Sequence, residues 1–142
     1  MGFSRNGRRN RGDVRGAQGV RRLLKLLLDS NAFLWAYSRP AELSSVARRA
    51  LSDPSNDRFV SVASLWEIAI KMSIGKLSFT SDLAAAIDDL AATPLAIGLA
   101  HIDRVQRLPF HHRDPFDRML IAQAMEEGLT IVTRDRRVGA YG

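Results

Sequence analysis

Cysteine is absent from this chain of 142 residues. Its absence excludes disulfide bonds and metal sites with thiolate ligands. Long hydrophobic runs are also missing. The longest, Leu23–Leu28, is interrupted by Lys25 and is far shorter than the roughly 20 residues that a transmembrane helix needs. Because no apolar signal-peptide core follows the basic N-terminus either, we expect a soluble, cytoplasmic protein without membrane contact.

The formal net charge of +6 is unevenly distributed along the chain. Residues 1–25 hold eight basic residues and one acidic residue, a net charge of +7, whereas residues 26–142 hold 13 basic and 14 acidic residues, a net charge of −1. Residues 1–22 also contain five glycines and no apolar periodicity, which predicts disorder. They are either a basic arm that binds phosphates or a non-native extension, for example from a start codon assigned too early. We expect the folded domain to be residues 23–142.

Hydrophobic periodicity divides residues 23–142 into alternating strands and helices. Leu23–Leu28 is nearly continuously apolar, as expected of a strand buried on both faces of a parallel sheet. The other predicted strands are Arg58–Val62, Leu95–Ile97 and Leu129–Thr133, and the predicted helices are Ala32–Tyr37, Ser45–Leu51, Ala63–Ile74, Ser81–Ala92, Leu99–Leu108 and Pro115–Glu127. This alternation predicts an α/β protein with a mostly parallel sheet.

The segment Arg113–Glu127 carries the clearest helix signals. Asp114 followed by Pro115 is typical of a helix start, and Gly128 is typical of a helix end. Asp117 then lies on the first turn, at the edge of the core. One interpretation is that Asp114 and Asp117 form an acidic variant of the capping box; the other is that Asp117 belongs to a functional site.

Four acidic residues are expected at one edge of the sheet. Asp29 and Asp135 lie just past the ends of the first and last predicted strands, and Glu67 lies on the first turn of the helix after the second strand. Asp117 begins the helix that leads into the last strand. Because ligands bind at the carboxyl ends of parallel strands, this arrangement predicts a common site.

Each of these acids also has a purely local interpretation. Asp29 and Asp135 suit helix caps or turns. Glu67 stands at capping-box spacing from Ser64. Four such coincidences at one edge are less plausible than a shared site.

A shared site of this composition would bind a metal ion. Clustered carboxylates repel one another, so they need a bound cation or raised pKa values. Their oxygen-only donor set suits hard ions such as Mg²⁺ or Mn²⁺, which can activate water for attack on a phosphodiester. We interpret the adjacent His111 and His112 as loop residues rather than ligands, because neighbours on an extended loop point apart and neither has a histidine four residues away.

Four segments, LLLDSNAFLW, SLWEIAIK, HHRDPFDRMLIAQA and LTIVTRD, in this order and spacing, resemble the PIN-domain ribonucleases of the VapC toxin type. The resemblance covers about Leu26–Gly142. It implies a three-layer α/β/α fold with a central, mostly parallel sheet of four or five strands. It also implies RNA cleavage at a site where four acids coordinate Mg²⁺ or Mn²⁺, and the matching positions are Asp29, Glu67, Asp117 and Asp135.

The same resemblance extends to neighbouring residues and to partners. Thr133 matches a hydroxyl position beside the metal, and Asn31 lies near it, where this subgroup more often has histidine. A VapB-type antitoxin and toxin dimers are further implied. Independently, Trp66 and Ile70 make the predicted helix Ala63–Ile74 apolar around most of its surface, which predicts an interface.

Other protein classes fit the sequence less well. A phospho-acceptor receiver domain requires Lys after the last strand, where Thr133 and Arg134 stand. A haloacid-dehalogenase-like phosphatase requires Asp at the position of Asn31. A non-enzymatic RNA-binding module would depend on the basic tail and would leave the four acids unexplained. The sequence thus favours a metal-dependent endoribonuclease, and a catalytically inactive PIN-like module for RNA or protein binding remains the alternative.

Overall fold

Four strands form the central sheet of the computed structural model, which describes residues 23–79 and 81–134. In chain order they are β1 (Lys25–Leu28), β2 (Asp57–Ser61), β3 (Thr93–Leu95) and β4 (Thr130–Val132). Their spatial order is β3-β2-β1-β4, and each pairing is parallel. The predicted α/β class and parallel sheet are confirmed. The predictions for residues 1–22 and for Asp135 concern residues outside the described ranges.

Helices cover both faces of the sheet. They are α1 (Ser30–Ser38), α2 (Ser45–Ser52), α3 (Val62–Ser73), α4 (Leu83–Asp89), α5 (Leu99–Arg107) and α6 (Pro115–Glu127), and a 3-10 turn, Pro40–Glu42, joins α1 to α2. Residues from α1, α2, α3 and α4 share one core cluster, whereas α6 packs on the opposite face with the segment that ends α5. The result is the expected three-layer α/β/α arrangement. Within the described ranges, none of the helices has the length and apolar character needed to cross a membrane.

The apolar run in β1 follows from its central position in the sheet. Leu26 and Leu28 pack into the cluster formed with α1 to α4, and Leu27, between them, packs on Leu120 and Ala124 of α6. The three leucines are at most 1% exposed, because successive side chains of a strand point to opposite faces. Burial of each contributes about 1.5–3 kcal/mol.

The third strand begins two residues earlier than predicted. The prediction placed this strand at Leu95–Ile97, because Pro94 was interpreted as the end of the preceding helix. In the structure, Pro94 lies inside β3 and pairs with Val60. A proline is tolerated there because β3 forms an edge of the described sheet and needs hydrogen-bond partners on one side only. The preceding helix is correspondingly shorter than predicted: Ala91, with a left-handed φ of 51°, follows the end of α4.

The carboxyl ends of three strands meet at one edge. Asp29, which follows β1, donates its backbone N–H to the carbonyl of Val132 at the end of β4, at 3.2 Å. The second strand passes into α3 without a loop, through the N-cap residue Ser61. These junctions bring the starts of α1 and α3 to the same edge of the sheet as the end of β4, and this edge carries the candidate site.

Candidate active site

A polar cavity of about 370 Å³ opens at this edge of the sheet. Asp29, Glu67 and Asp117 line it, although they lie on different elements and up to 88 residues apart in the chain. Asn31 and Thr133, the two residues expected near the metal, line it as well. The fourth predicted acid, Asp135, is beyond the described residues.

Asp29 both caps a helix and lines the cavity. Its Oδ1 accepts a hydrogen bond from the backbone N–H of Ala32 at 2.8 Å, so the local interpretation as the N-cap of α1 is confirmed. A carboxylate has acceptor capacity beyond one such bond. Capping therefore orients Asp29 without excluding a second role for it.

The capping-box interpretation of Glu67 is wrong. The third helix begins at Val62, after the N-cap Ser61, so Ser64 is already inside the helix and cannot be its cap. Glu67 consequently lies in the second turn of α3 rather than the first. The misplacement arose because Ser61 and Ser64 both suit an N-cap by residue type, and the structure uses Ser61, whose Oγ accepts a hydrogen bond from the N–H of Ala63 at 3.0 Å.

The Glu67 carboxylate instead contacts one side chain of α1 and one side chain of its own helix. The Oγ of Ser30, the first residue of α1, donates a hydrogen bond to Glu67 Oε1 at 2.5 Å. The Nζ of Lys71, one turn further along α3, lies 3.4 Å from Oε2. Each oxygen of the Glu67 carboxylate thus has one partner, Ser30 at Oε1 and Lys71 at Oε2. Neither contact was predicted from the sequence.

Asp114 is the N-cap of α6, as predicted. Its Oδ1 accepts hydrogen bonds from the backbone N–H groups of Phe116, at 2.8 Å, and Asp117, at 3.1 Å. In a capping box, the backbone N–H of Asp114 would in turn donate to the side chain of Asp117. Here that N–H donates instead to Nδ1 of His112, at 3.1 Å. The capping-box interpretation of Asp117 is therefore wrong.

The side chain of Asp117 contacts a histidine. Since Nδ1 of His112 accepts the Asp114 amide hydrogen, the imidazole hydrogen lies on Nε2, which is 3.0 Å from Asp117 Oδ2 and donates to it. The imidazole is 3% exposed. His112 is a loop residue as predicted, but it is also part of the site, a role that we missed by considering histidines only as metal ligands.

The cavity carries unbalanced negative charge. The pKa of Asp117 is raised from 3.8 to about 6, most strongly by burial and then by the carboxylates of Asp114, Asp29 and Glu67, whereas His112 acts in the lowering direction. A carboxyl group that is both desolvated and surrounded by like charge resists ionisation. A cation bound among these oxygens would relieve that cost.

Comparison with known proteins identifies the family. The family model described as PIN domain matches residues 26–142. The chain belongs to the PIN domain family.

This PIN domain has relatives among curated proteins and among solved structures. It is 29% identical over 123 residues to Ribonuclease VapC22 of Mycobacterium tuberculosis, covering 82% of this chain and 91% of the relative. It also resembles the crystal structure of VapBC2 from Rickettsia felis bound to a DNA fragment from their promoter, with a TM-score of 0.62, 13% identity, and coverage of 83% of this chain and 93% of that one. The second similarity concerns the fold alone. The predicted VapC-type PIN resemblance is confirmed.

The donor chemistry of this PIN domain suits a hard divalent ion. The cavity gathers carboxylate oxygens, which Mg²⁺ and Mn²⁺ prefer, and their mutual repulsion contributes to the raised pKa of Asp117. Among the residues that the structure describes, however, no group of three or more Asp, Glu or His side chains is arranged so that it could hold a metal ion. The four-carboxylate metal site therefore stays a prediction.

The loop that carries His112 is fixed by a buried arginine. Arg118, 6% exposed on α6, donates hydrogen bonds of 2.9–3.3 Å to four backbone carbonyls, those of Val105, Leu108, Pro109 and His112. Its guanidinium also lies 4.2 Å from the centre of the Phe110 ring. Arg118 thus holds the segment before α6 in the conformation that brings His112 against Asp117.

Proposed function

We propose that this PIN domain is a metal-dependent endoribonuclease of the VapC toxin type. One observation carries the proposal: Asp29, Glu67 and Asp117 come from three separate elements to the wall of one polar cavity. The raised pKa of Asp117 supports it, because burial first and then the neighbouring carboxylates of Asp114, Asp29 and Glu67 disfavour the charged form of this carboxyl. The name of the curated Mycobacterium tuberculosis relative, a ribonuclease, points to the same activity.

The proposed metal ligands are Asp29, Glu67, Asp117 and Asp135, and the proposed ions are Mg²⁺ or Mn²⁺. When bound, such ions supply Lewis acidity, which activates water and neutralises the charge of a phosphodiester. We propose hydrolysis with two ions, since four carboxylates offer enough oxygens for both. Among the described residues that line this cavity there is no cysteine, and the hydroxyl of Ser30 donates its hydrogen to Glu67, so the attacking group is taken to be water.

Two of the proposed ligands are oriented by hydrogen bonds before substrate binds. Ser30 donates to Glu67, and His112 donates to Asp117. Such partners keep a carboxylate in one orientation, so less conformational freedom is lost when a ligand binds. Asn31 and Thr133 line the same cavity and are proposed to contact bound water rather than the ion.

Two arginines at the cavity wall provide contacts for the RNA backbone. Arg113 and Arg134 line the cavity, and both side chains are exposed. Guanidinium groups bind phosphate oxygens in a bidentate manner. We propose that they hold the phosphates on either side of the bond that is cut, and thereby offset the repulsion between RNA and the carboxylates.

The proposed protein partners are a VapB-type antitoxin and a second copy of this chain. The similar fold of VapBC2 from Rickettsia felis supports an antitoxin partner. An exposed apolar surface on α3 supports a dimer: Trp66 is 61% exposed, and Ile70 and Ile74 are also exposed. In α1, by contrast, Ala32 and Phe33 are buried in the core and are not part of this exposed surface.

Cleavage of a labelled single-stranded RNA tests the activity. We expect the wild-type protein to cut with Mg²⁺ or Mn²⁺ and not in EDTA, and Asp117→Asn to lose at least about 100-fold in rate, as expected for loss of an electrostatic catalytic group. The matched control is Asp82→Asn, which alters the N-cap of α4 at an exposed position. Absence of cleavage by the wild-type protein would favour the inactive binding module, whereas equal cleavage by wild type and Asp117→Asn would contradict the proposed role of Asp117. If the wild-type protein cleaves, sequencing of RNA 5′ ends after induction of wild type and of Asp117→Asn would locate the cut.

A further inference from the structure

A second cavity, of about 510 Å³, adjoins the acidic one. Asp29, Thr133 and Arg134 line both cavities, so the two lie next to each other at the end of β4. We call the second one the side cavity. Its other walls come from α1, from α2 and from the turn between them, and include Trp35 and Glu42. Its volume is within the range of about 300–1,000 Å³ that is typical of small-molecule sites.

Trp35 and Arg134 contact each other at the wall of the side cavity. The guanidinium carbon of Arg134 lies 5.1 Å from the centre of the Trp35 ring. Trp35 is partly buried and packs against the core cluster, which limits its movement. Unstacked bases of single-stranded RNA bind to aromatic rings and guanidinium planes of this kind.

The charges of the two cavities favour a base over a phosphate in the side cavity. Glu42 is exposed at its wall, and its carboxylate repels a phosphate group. The same carboxylate only accepts hydrogen bonds, so it can receive one from the exocyclic amino group of adenine, cytosine or guanine. Uracil has no amino group and can donate only through its ring N3–H. Arg134, at the junction of the cavities, is close enough to both to contact a base and the neighbouring phosphate.

We propose that the side cavity binds the base of a nucleotide next to the phosphodiester that is cut, stacked against Trp35 and Arg134. The proposal rests on the nuclease function proposed above and assigns to Trp35, Arg134 and Glu42 the choice of nucleotide at that position. Bases that carry an amino group are preferred. The RNA strand would pass from one cavity to the other beside Asp29 and Thr133.

Tryptophan fluorescence tests base binding without cleavage. The chain has two tryptophans, and a Trp66→Phe change, at an exposed position, leaves Trp35 as the reporter. In a Trp66→Phe, Asp117→Asn protein, AMP, CMP and GMP are expected to quench the fluorescence saturably and UMP to bind several-fold more weakly. Arg134→Gln should weaken the quenching nucleotides at least about fivefold, whereas Arg107→Gln, on the exposed surface of α5, should not.

Results of two kinds would overturn the proposal. One is no saturable quenching by any nucleotide, or quenching that Arg134→Gln leaves unchanged. The other is quenching by a peptide from a VapB-type antitoxin together with none by nucleotides, which would make the side cavity a protein-binding site. The fluorescence assay measures binding to a cleavage-deficient protein. Either result would therefore overturn the base-binding proposal without testing the proposed nuclease activity, which the cleavage assay on the wild-type protein tests.

Cleavage specificity provides a second, independent measurement. RNAs with a single abasic nucleotide on either side of the cut should show one position where base removal raises KM severalfold with little change in kcat. Glu42→Gln should reduce the ratio of kcat/KM between RNAs with an amino-bearing base and RNAs with uracil at that position. A purely structural role would lower the rates for all RNAs equally, and that outcome would contradict the proposal.

Discussion

Nε2 of His112 lies 3.0 Å from Oδ2 of Asp117 and holds that carboxylate at the wall of the acidic cavity. The orientation of the imidazole is set from its other side by the backbone N–H of Asp114. The neighbouring His111 is exposed, so the two histidines point apart as the sequence predicted. One of the pair therefore belongs to the site and the other provides a natural control.

Replacing His112 should impair activity more than it impairs folding. His112→Phe keeps an aromatic ring but removes the donor to Asp117, and we expect at least a tenfold loss of cleavage rate with a loss of about 1–2 kcal/mol in the free energy of unfolding. His112→Asn, which retains a donor, should recover part of the rate. His111→Phe should behave like wild type. Cleavage kinetics and urea denaturation measure both quantities, and equal effects at the two histidines would contradict the assignment.

Asp117 should make the stability of the metal-free protein depend on pH. Because its folded-state pKa is about 6, above the ordinary value, the folded protein binds this proton more tightly than the unfolded chain. The associated stability is present below about pH 4 and is lost as the pH rises through 6. Asp117→Asn in EDTA should accordingly melt at a higher temperature than wild type at pH 8, with the difference disappearing near pH 4. Parallel melting curves across this range for both proteins would show that the carboxyl is not perturbed.

Divalent ions should stabilise the folded protein. At a concentration 100 times the dissociation constant, Mg²⁺ or Mn²⁺ is expected to add about 2.7 kcal/mol to the free energy of unfolding. The single changes Asp29→Asn, Glu67→Gln, Asp117→Asn and Asp135→Asn should each weaken this response, whereas Asp82→Asn should retain it. Thermal melting with and without metal, combined with calorimetric titration, makes the comparison. A full response in Asp135→Asn would remove that residue from the proposed ligands.

Removal of Arg118 should destabilise the protein through the loop before α6. Arg118→Met removes one hydrogen-bond donor from each of four backbone carbonyls, and we expect a loss of about 2–4 kcal/mol in the free energy of unfolding. Arg107→Met, at an exposed position on α5, should change it by no more than about 0.5 kcal/mol. Urea denaturation distinguishes them. Similar midpoints for both variants would mean that the loop does not depend on Arg118.

The apolar surface of α3 should support self-association. Trp66 is exposed and contacts the Phe116 ring edge-to-face, with ring centres 5.4 Å apart. A charged substitution, Trp66→Arg, should shift the protein from dimer to monomer in sedimentation at micromolar concentration, without loss of secondary structure. The reference substitution is Met125→Arg, at another exposed apolar position, on α6. A wild-type protein that sediments as a monomer would refute the dimer.

Features that depend on neighbouring residues in the chain could be predicted from the sequence. Asp114 and Pro115 begin α6 and Gly128 follows its end, as expected from local capping. The apolar run of β1 correctly indicated a strand covered on both faces, because burial on both sides requires apolar residues at consecutive positions. The position of Asp29, directly after that strand, followed from the same local pattern.

Only the tertiary structure decided how the acids are held. Ser30 donates to Glu67, 37 residues away, and no sequence periodicity relates the two. The same is true of the role of His112: its contact with Asp117 depends on a loop conformation that buried Arg118 stabilises. Local signals fix where a strand or helix begins, because capping and turn formation involve residues within a few positions. The orientation of a carboxylate depends on donors brought together by packing of distant elements, which is why these partners emerged from the fold and not from the sequence.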